Sequence, residues 1–338
     1  MGRAIGFDLG SAYTALCLQD EKDIKMIASA IAMSKTEKRV KASGNEAKKM
    51  IGRTPKSIIV ESPVKDGLVD DIAIAALFIT EILEKIEMPS VFKKAEAVAT
   101  VSMGATKNDE RALEAAFTDS GITTLDFVDT PIAIALGSGM PTDMSKGIMV
   151  VDAGAGHIEA SIVSHGGVVS YSGIKQAGND MTDAVAGYIA DVHGIEVGPL
   201  TAEAVKVKIG TLLHTAPQKS IRVNGKVVPG KGAMHGNKMT SSVTVTSHEL
   251  IPVLSPFADK IIETIASTLK ETPPEISSDI SDFGILLSGG VAALPGLAAY
   301  IEKALRIRVS TTKAPAFDAI RGVLRIINGG RAYAKFTK

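Results

Sequence analysis

The chain has 338 residues, of which 45% are hydrophobic and 22% are charged. This composition supports a sizeable core and excludes a largely disordered chain, while the length predicts two domains or one duplicated architecture around a central cleft. Basic and acidic residues number 37 each, so the formal net charge is zero. A nucleic-acid-binding protein usually carries a basic excess, so the charge balance argues against that class.

The single cysteine, Cys17, excludes an intramolecular disulfide and any Cys-rich metal site. Because it lies in an apolar strand-like run, we expect a buried thiol that acts as a small hydrophobic side chain. No stretch approaches the ~18 consecutive apolar residues of a membrane span. The start of the chain leads directly into a strand-like run, which leaves no room for a secretory signal. We therefore expect a soluble, cytoplasmic protein.

Hydrophobic periodicity predicts strands that alternate with helices along the chain, which is typical of the α/β class. The predicted strands include residues 4–16, 95–101, 127–129, 148–163, an antiparallel set within 215–247, and 285–288. Helices are predicted over residues 70–87, 106–117, 130–137, 180–193 and 201–214, from Pro256, over 297–305 and after Ala316. Thr106 is the expected N-cap of the second helix, and Gly137 is expected to terminate the third.

Two stretches of the sequence share one hairpin pattern. In each, an apolar strand ends in an aspartate, Asp8 or Asp152, and a glycine-containing turn leads into a second apolar strand. Glycine lets the backbone approach a ligand closely, and consecutive turn amides form an anion-binding concavity. An aspartate before such a turn is placed to hold a cation through water against bound phosphates. Two copies predict a duplicated fold with a nucleotide between the halves.

A basic segment over residues 35–56 contains eight lysines and arginines and only two glutamates. One interpretation is the solvated face of a small subdomain. The other is a contact surface for an acidic partner or an anionic lipid.

Five segments together resemble a known superfamily, the actin/DnaK-type ATPases. Residues 6–11 resemble its first phosphate loop, residues 150–156 its second, and residues 287–291 its adenosine motif. Residues 46–55 followed by 65–67, and residues 201–206 joined later by 271–275, are similar to the bacterial actin family MreB. The resemblance extends over nearly the whole chain.

The resemblance implies an α/β, actin-like ATPase fold with two duplicated ribonuclease-H-like domains around a nucleotide cleft. The implied subdomains are IA (1–32, 66–145 and 309–338), IB (33–65), IIA (146–180 and 248–308) and IIB (181–247). It also implies ATP-dependent assembly of the protein with itself into paired protofilaments. The implied role is cytoskeletal, such as guiding wall synthesis or positioning cargo.

The same resemblance implies the site residues. Asp8 and Asp152 would hold Mg²⁺ through water. The residues implied to contact ATP or ADP are Gly10, Ser11, Ala12, Tyr13, Gly154, Ala155, Gly156, His157, Gly178, Glu203, Lys206, Ser288, Gly289, Gly290 and Val291. Glu203 and Lys206 lie three apart on one helical face, and the alternative interpretation of this pair is a surface ion pair.

The sequence departs from the family at the residue that positions the attacking water. The family has glutamate directly before the proline that opens the helix after the fourth strand, but here Thr130 precedes Pro131. A threonine hydroxyl is a poor general base at neutral pH, so we expect slow hydrolysis with nucleotide binding and assembly retained. Asp129 would substitute only if its side chain turned into the cleft.

Two further departures lie in the second phosphate loop. Ala155 replaces a glycine of the family. His157 replaces a threonine and is either a phosphate neighbour or a structural histidine.

Members of this family bind membranes through an apolar loop, and Val91 and Phe92 occupy that place here. Two such side chains contribute about 3–5 kcal/mol when fully buried, which becomes adequate when many copies add along a filament. Alternatively, Phe92 packs on its own domain. The resemblance also implies membrane proteins as possible partners.

Two other classes of function were considered for the sequence. A non-polymerising nucleotide switch stays open as the alternative. A metabolic kinase is disfavoured because residues 215–247 offer no sugar-binding set of Asp, Asn and Arg.

Overall fold

The computed structural model describes residues 4–36, 39–86, 96–140, 146–231 and 238–338. The strands up to residue 140 are β1 (Ile5–Leu9), β2 (Tyr13–Leu18), β3 (Ile24–Ala28), β4 (Ile31–Ser34), β5 (Val40–Ser43), β6 (Ile58–Glu61), β7 (Val64–Lys65), β8 (Leu68–Val69), β9 (Glu96–Val101) and β10 (Thr124–Asp129). The helices of this part are α1 (Asn45–Met50), α2 (Ile72–Lys85), α3 (Lys107–Asp119) and α4 (Thr130–Ser138).

The later strands are β11 (Ile148–Ala153), β12 (Ile158–Ser164), β13 (Gly167–Ile174), β14 (Ile195–Glu196), β15 (Ser220–Val227), β16 (Thr240–Thr246), β17 (Ile285–Ser288) and β18 (Val309–Ser310). The later helices are α5 (Gly178–His193), α6 (Pro199–Ile209), α7 (Ile251–Lys270), α8 (Pro274–Phe283), α9 (Leu297–Leu305) and α10 (Asp318–Gly329).

Two five-stranded sheets repeat one topology. The first has the order β3-β2-β1-β9-β10 and the second the order β13-β12-β11-β17-β18. In both sheets the first three strands are antiparallel neighbours, and the last two join in parallel. The duplication predicted from the two hairpins is therefore confirmed at the level of whole sheets.

Two smaller sheets lie outside this repeat. The sheet β5-β4-β6 falls largely within the range expected for subdomain IB, and the sheet β14-β15-β16 falls within that of IIB. The antiparallel pair expected within residues 215–247 is confirmed as β15 and β16. The subdomain boundaries themselves stay a prediction.

The two large sheets share a core built around α4 and α10. This core joins side chains of the first sheet, such as Val98, to side chains of the second, such as Val150, across the two helices. Gly137 on α4 and Gly322 on α10 mark the helix crossing. A Cβ on Gly137 would lie 1.7 Å from the carbonyl oxygen of Asp318, so only glycine permits this approach.

The prediction that Gly137 terminates α4 is wrong. The helix continues to Ser138, and Gly139 closes it in the left-handed conformation with φ of 86°. Gly137 serves the close packing against α10 instead. Glycine performs both roles, and the sequence pattern alone does not separate them.

Other helix boundaries also differ from the prediction. Pro256 lies inside α7, which begins at Ile251, because a proline removes only one backbone donor from a 20-residue helix that packs well on its apolar face. Helix α6 ends at Ile209 rather than near residue 214, since the chain turns away so that Leu212 N–H donates to Pro295 at 2.8 Å. The predicted capping by Thr106 is confirmed as a capping box with Asp109.

Cys17 is 1% exposed, and burial raises the pKa of its thiol to about 12, which confirms the predicted buried side chain. Within the part of the chain that the structure describes, no helix has the length and apolar character needed to cross a membrane.

The α4–α10 crossing generates a stability prediction. Gly137→Ala places a methyl group against backbone, so we expect the free energy of unfolding to fall by about 2–3 kcal/mol in urea denaturation. Gly187→Ala is the matched control, because that helical glycine in α5 has no atom within 4 Å of an added Cβ. The control should stabilise by about 0.5–1 kcal/mol. Equal effects at the two positions would contradict the proposed role of the crossing.

Candidate functional site

The two hairpin turns have the same geometry. In the first, Gly10 N–H donates to the carbonyl of Tyr13 at 3.1 Å, and in the second Gly154 N–H donates to the carbonyl of His157 at 3.0 Å. In each hairpin four residues lie between the last paired residues of the two antiparallel strands, which are Leu9 and Thr14 in the first and Ala153 and Ile158 in the second. The duplication therefore extends to individual residues, and the two turns face each other from the two sheets.

Asp8 and Asp152 occupy equivalent positions, two residues before the glycine of each turn. Desolvation by the surrounding protein raises the pKa of each carboxyl to about 6, and for Asp8 the nearby Asp152 adds to the rise. The Thr100 hydroxyl donates to Asp8 at 2.7 Å. Two desolvated carboxylates beside one cavity are the oxygen donors that Mg²⁺ prefers. The residues present therefore fit a divalent cation.

Within the described ranges, no cluster of three or more His, Cys, Asp or Glu side chains would hold a metal ion by itself. A cation between Asp8 and Asp152 thus requires further oxygen ligands from phosphate and water, as Mg²⁺ sites at phosphate groups do.

Glycine allows the turns to touch. A Cβ on Gly156 would lie 2.3 Å from Ser11 Oγ and 2.9 Å from Asp66 N. Gly289 has φ of 86°, and a Cβ there would lie 2.5 Å from an oxygen of Asp152. These positions bring the turns of both halves and the turn after β17 into direct contact.

A cleft lies between the turns. The predicted residues that line it are Asp8, Gly10, Ser11, Ala12, Tyr13, Thr130, Asp152, Gly154, Ala155, Gly156, His157, Gly289 and Gly290. Ala155 is compatible with its backbone, because among the described non-glycine residues positive φ occurs only at Asp20, Asp66, His165 and Arg306. The structure thus brings the two predicted phosphate loops to one cavity.

An adjoining cavity continues from this cleft. Its predicted lining residues are Ala12, Tyr13, Gly154, Ala155, Gly178, Glu203, Lys206, Gly290 and Val291. Sequence reasoning missed the apolar side chains Met181, Val207, Ala293, Leu294 and Pro295. Val207 is 72% exposed. The only sequence signal for this residue is its position as an apolar side chain between two lysines on α6.

Glu203 and Lys206 have separate partners. Glu203 accepts a hydrogen bond from Lys48 at 2.8 Å, and Lys48 also donates to the hydroxyl of Tyr13 at 3.1 Å. Lys206 donates to the carbonyl of Gly178 and, at 2.7 Å, to the Thr182 hydroxyl. Desolvation lowers the pKa of Lys206 to about 8. The alternative interpretation of Glu203 and Lys206 as a surface ion pair is therefore wrong.

Lys48 belongs to the basic segment and reaches Glu203, which lies on α6 in the other half of the chain. The other described lysines and arginines of that segment, Lys35, Arg39, Lys41, Lys49, Arg53 and Lys56, are exposed. The expected solvated face is thus observed for most of the segment, and a contact with an acidic partner or lipid stays a prediction.

Ser288 is the predicted binding residue whose side chain turns away from both cavities. Its hydroxyl donates to the Pro315 carbonyl at 3.0 Å and to Asp318 at 3.2 Å. These two hydrogen bonds tie the end of β17, directly before the Gly289–Gly290 turn, to the segment around Pro315 and Asp318.

Thr130 and Asp129 point in different directions. Thr130 is buried and lines the cleft. The Asp129 carboxylate lies 2.8 Å from Lys338 Nζ, which also pairs with Glu110 at 2.9 Å. The condition under which Asp129 would replace the missing glutamate, a side chain turned into the cleft, is therefore not met.

Glu159 is a buried carboxyl that sequence reasoning missed. It is 4% exposed, accepts the Met103 N–H at 3.0 Å and the Ser161 hydroxyl at 3.1 Å, and burial raises its pKa to about 7. Because Met103 follows β9, this contact joins the two halves. The available signal was the one charged residue of strand β12, which lies among mostly apolar residues.

Val91 and Phe92, the membrane-loop candidates, lie outside the described residues.

The raised pKa of Asp152 predicts a pH-dependent stability. Between pH 3.8 and about 6 the folded state holds the proton more firmly than the unfolded state, so stability falls as pH rises through this window. In buffer with a chelator at pH 7.5, Asp152→Asn should raise the free energy of unfolding by up to about 3 kcal/mol, and the gain should vanish below pH 4. Asp282→Asn, an exposed change on α8, is the control. A less stable Asp152→Asn protein at pH 7.5 would refute this account.

The comparisons with known proteins agree with this geometry. A family model described as MreB/Mbl protein matches residues 2–334. The chain is 30% identical over 314 residues to the cell shape-determining protein Mbl of Bacillus cereus, covering 93% of this chain and 92% of that protein. It is 29% identical over 333 residues to the cell shape-determining protein MreB of Escherichia coli, covering 97% and 92%.

Solved structures agree on the fold. MreB5 of Spiroplasma citri bound to AMPPNP superposes with a TM-score of 0.88 at 25% identity over 95% of each chain. A MamK double helical filament superposes with a TM-score of 0.76 at 21% identity over 96% of this chain and 98% of that chain. The expected actin-like fold is thereby confirmed, and the chain belongs to the MreB/Mbl family.

Proposed function

We propose that this protein is a bacterial cytoskeletal actin that binds ATP with Mg²⁺ and polymerises into filaments. Its role is to determine cell shape or to position structures within the cell. The observation that carries the proposal is the pair of equivalent glycine turns, each preceded by a desolvated aspartate, at one cleft.

The two cavities divide the nucleotide between them. The backbone amides of the two turns bind the phosphates, and Asp8 and Asp152 hold the cation through water, which neutralises charge on the phosphates. The adjoining cavity, with Met181 and Val207 as apolar walls, takes the base and ribose near Glu203 and Lys206. Spiroplasma citri MreB5, a protein of the same fold, is known bound to AMPPNP and to ADP, which supports nucleotide binding by this chain.

Self-association is the proposed route to function. The Bacillus and Escherichia relatives are cell shape-determining proteins. A protein of the same fold, MamK, forms a double helical filament, so the fold is compatible with such assembly. A net charge of zero also does little to oppose contact between copies.

In this proposal the filaments grow in the cytoplasm. Val91 and Phe92 would attach them to a membrane surface, and membrane proteins would be further binding partners. ATP hydrolysis is slow in this proposal. Thr130 replaces the glutamate of the family, and Lys338 holds Asp129 away from the cleft.

Sedimentation tests the proposal directly. Purified protein is centrifuged with Mg-ATP, with Mg-ADP and without nucleotide, and the pellets are imaged by electron microscopy. We expect filaments with Mg-ATP. A protein that binds ATP but stays monomeric across concentrations would contradict the proposal and favour a non-polymerising nucleotide switch.

Restoring the carboxylate tests the account of hydrolysis. Thr130→Glu should raise the rate of phosphate release by about a hundredfold, because a carboxylate accepts a proton from the attacking water far better than a hydroxyl does. Thr130→Gln is the matched control, because glutamine has nearly the same size as glutamate but carries no charge, and it should leave the rate of phosphate release low. A wild-type rate that already equals that of Thr130→Glu would refute slow hydrolysis.

A further inference from the structure

Residues 333–338, here named the C-terminal segment, lie against both halves of the molecule. Phe336 is 8% exposed and belongs to the core that the two large sheets share. A Cβ on Gly166, in the turn between β12 and β13, would lie 3.1 Å from the ring of Phe336. Lys338 and Phe127 exchange two backbone hydrogen bonds, of 2.9 and 3.0 Å, so Lys338 lies on the outer edge of β10.

The side chain of Lys338 draws Asp129 away from helix α4. Asp129 Oδ1 lies 2.8 Å from Lys338 Nζ, and Glu110 Oε1 lies 2.9 Å from the same nitrogen. Asp129 is the N-cap residue of α4, but its carboxylate makes no capping hydrogen bond. Aspartate is one of the strongest helix N-caps. A carboxylate that faces a lysine instead of its own helix is therefore held in place by that lysine.

Release from Lys338 would bring the carboxylate beside the cleft. An N-cap side chain normally bends over the first turn of its helix and accepts an N–H from the second or third helical residue. The first helical residue of α4 is Thr130, which is buried and lines the cleft. The second is Pro131, which has no N–H to donate. A released Asp129 would thus lie next to Thr130 with at least one oxygen open to water in the cleft.

The contact with Lys338 is weak enough to open. The Lys338 side chain is 46% exposed, against 20% for Asp129. Although Nζ is close, no donor among the described residues reaches Asp129 Oδ1 at a hydrogen-bonding angle. Glu110 competes for the same lysine. Ion pairs with a half-exposed partner contribute little to stability and are screened by salt.

We propose that the contact between Lys338 and Asp129 is autoinhibitory, with Lys338 as the positioning residue that keeps Asp129 from acting as the base in nucleotide hydrolysis. When the contact opens, the Asp129 carboxylate accepts a proton from a water in the cleft. The water oxygen bonds to the terminal phosphorus, and the bond from that phosphorus to the bridging oxygen breaks, with its electron pair leaving on the diphosphate. Asp129 then releases the proton to solvent. This inference rests on the proposed nucleotide site.

The first test replaces the charge of Lys338. Lys338→Met keeps the length of the side chain, and we expect phosphate release at saturating Mg-ATP to increase about tenfold, because a carboxylate becomes available as a base. The KM for ATP should change by less than about twofold, because Asp129 meets the water and not the nucleotide. Lys335→Met, at an exposed lysine of the same segment, is the matched control and should leave the rate unchanged. All rates are measured below the protein concentration at which pellets form.

A double variant assigns the gain to Asp129. Lys338→Met combined with Asp129→Asn should return the rate to that of the wild-type protein, because an amide of the same size does not accept the proton. No gain in Lys338→Met, or a gain that persists in the double variant, would overturn the proposal. Failure of the wild-type protein to bind AMPPNP in calorimetry would instead overturn the proposed function, so the two failures are distinguishable.

Salt provides a second readout that needs no substitution in the wild-type protein. At saturating nucleotide, its phosphate release should rise about two- to threefold between about 50 mM and about 0.5 M KCl, because screening weakens the ion pair. Lys338→Met should show no such rise, since the contact is already absent. The same salt dependence in both proteins would show that the ion pair does not restrain hydrolysis.

Discussion

The structure depends on the contact between two glycine turns that each follow a desolvated aspartate. Asp8 and Asp152 face one cleft, and the free energy of keeping two carboxylates there is unfavourable without a cation, as their raised pKa values indicate. A fold optimised for stability alone would not place them together. A cation bound between the carboxylates and the phosphates would offset this unfavourable free energy.

Contacts below and above the cleft fix the position of the two turns relative to each other. At its base, the Gly137–Gly322 crossing of α4 and α10 joins the two sheets through one core. Above it, Glu159 accepts an N–H from Met103, and Lys48 reaches Glu203 from the opposite side. The base contact is rigid backbone packing, whereas the upper contacts are polar and few.

Local patterns explain how much of the site the sequence predicted. The strand–Asp–Gly turns lie within a few consecutive residues, so Asp8, Asp152 and their turns were found without any tertiary information. Lys48 and Glu203 are 155 residues apart, and their contact exists only after folding. Gly137 was assigned to a helix end because glycine serves both termini and close packing. Glu159 and the Ser288 hydroxyl depend on neighbours from other elements, which no periodicity reveals.

The most direct measurement of the central claim is the affinity for ATP with and without Mg²⁺, determined by calorimetry on the wild-type protein. The account predicts that removing Mg²⁺ with a chelator weakens ATP binding by about a hundredfold or more, because the triphosphate then meets two carboxylates without a cation between them. An affinity that is the same in chelator as in Mg²⁺ would show that Asp8 and Asp152 do not hold a cation against the phosphates, and would contradict the account.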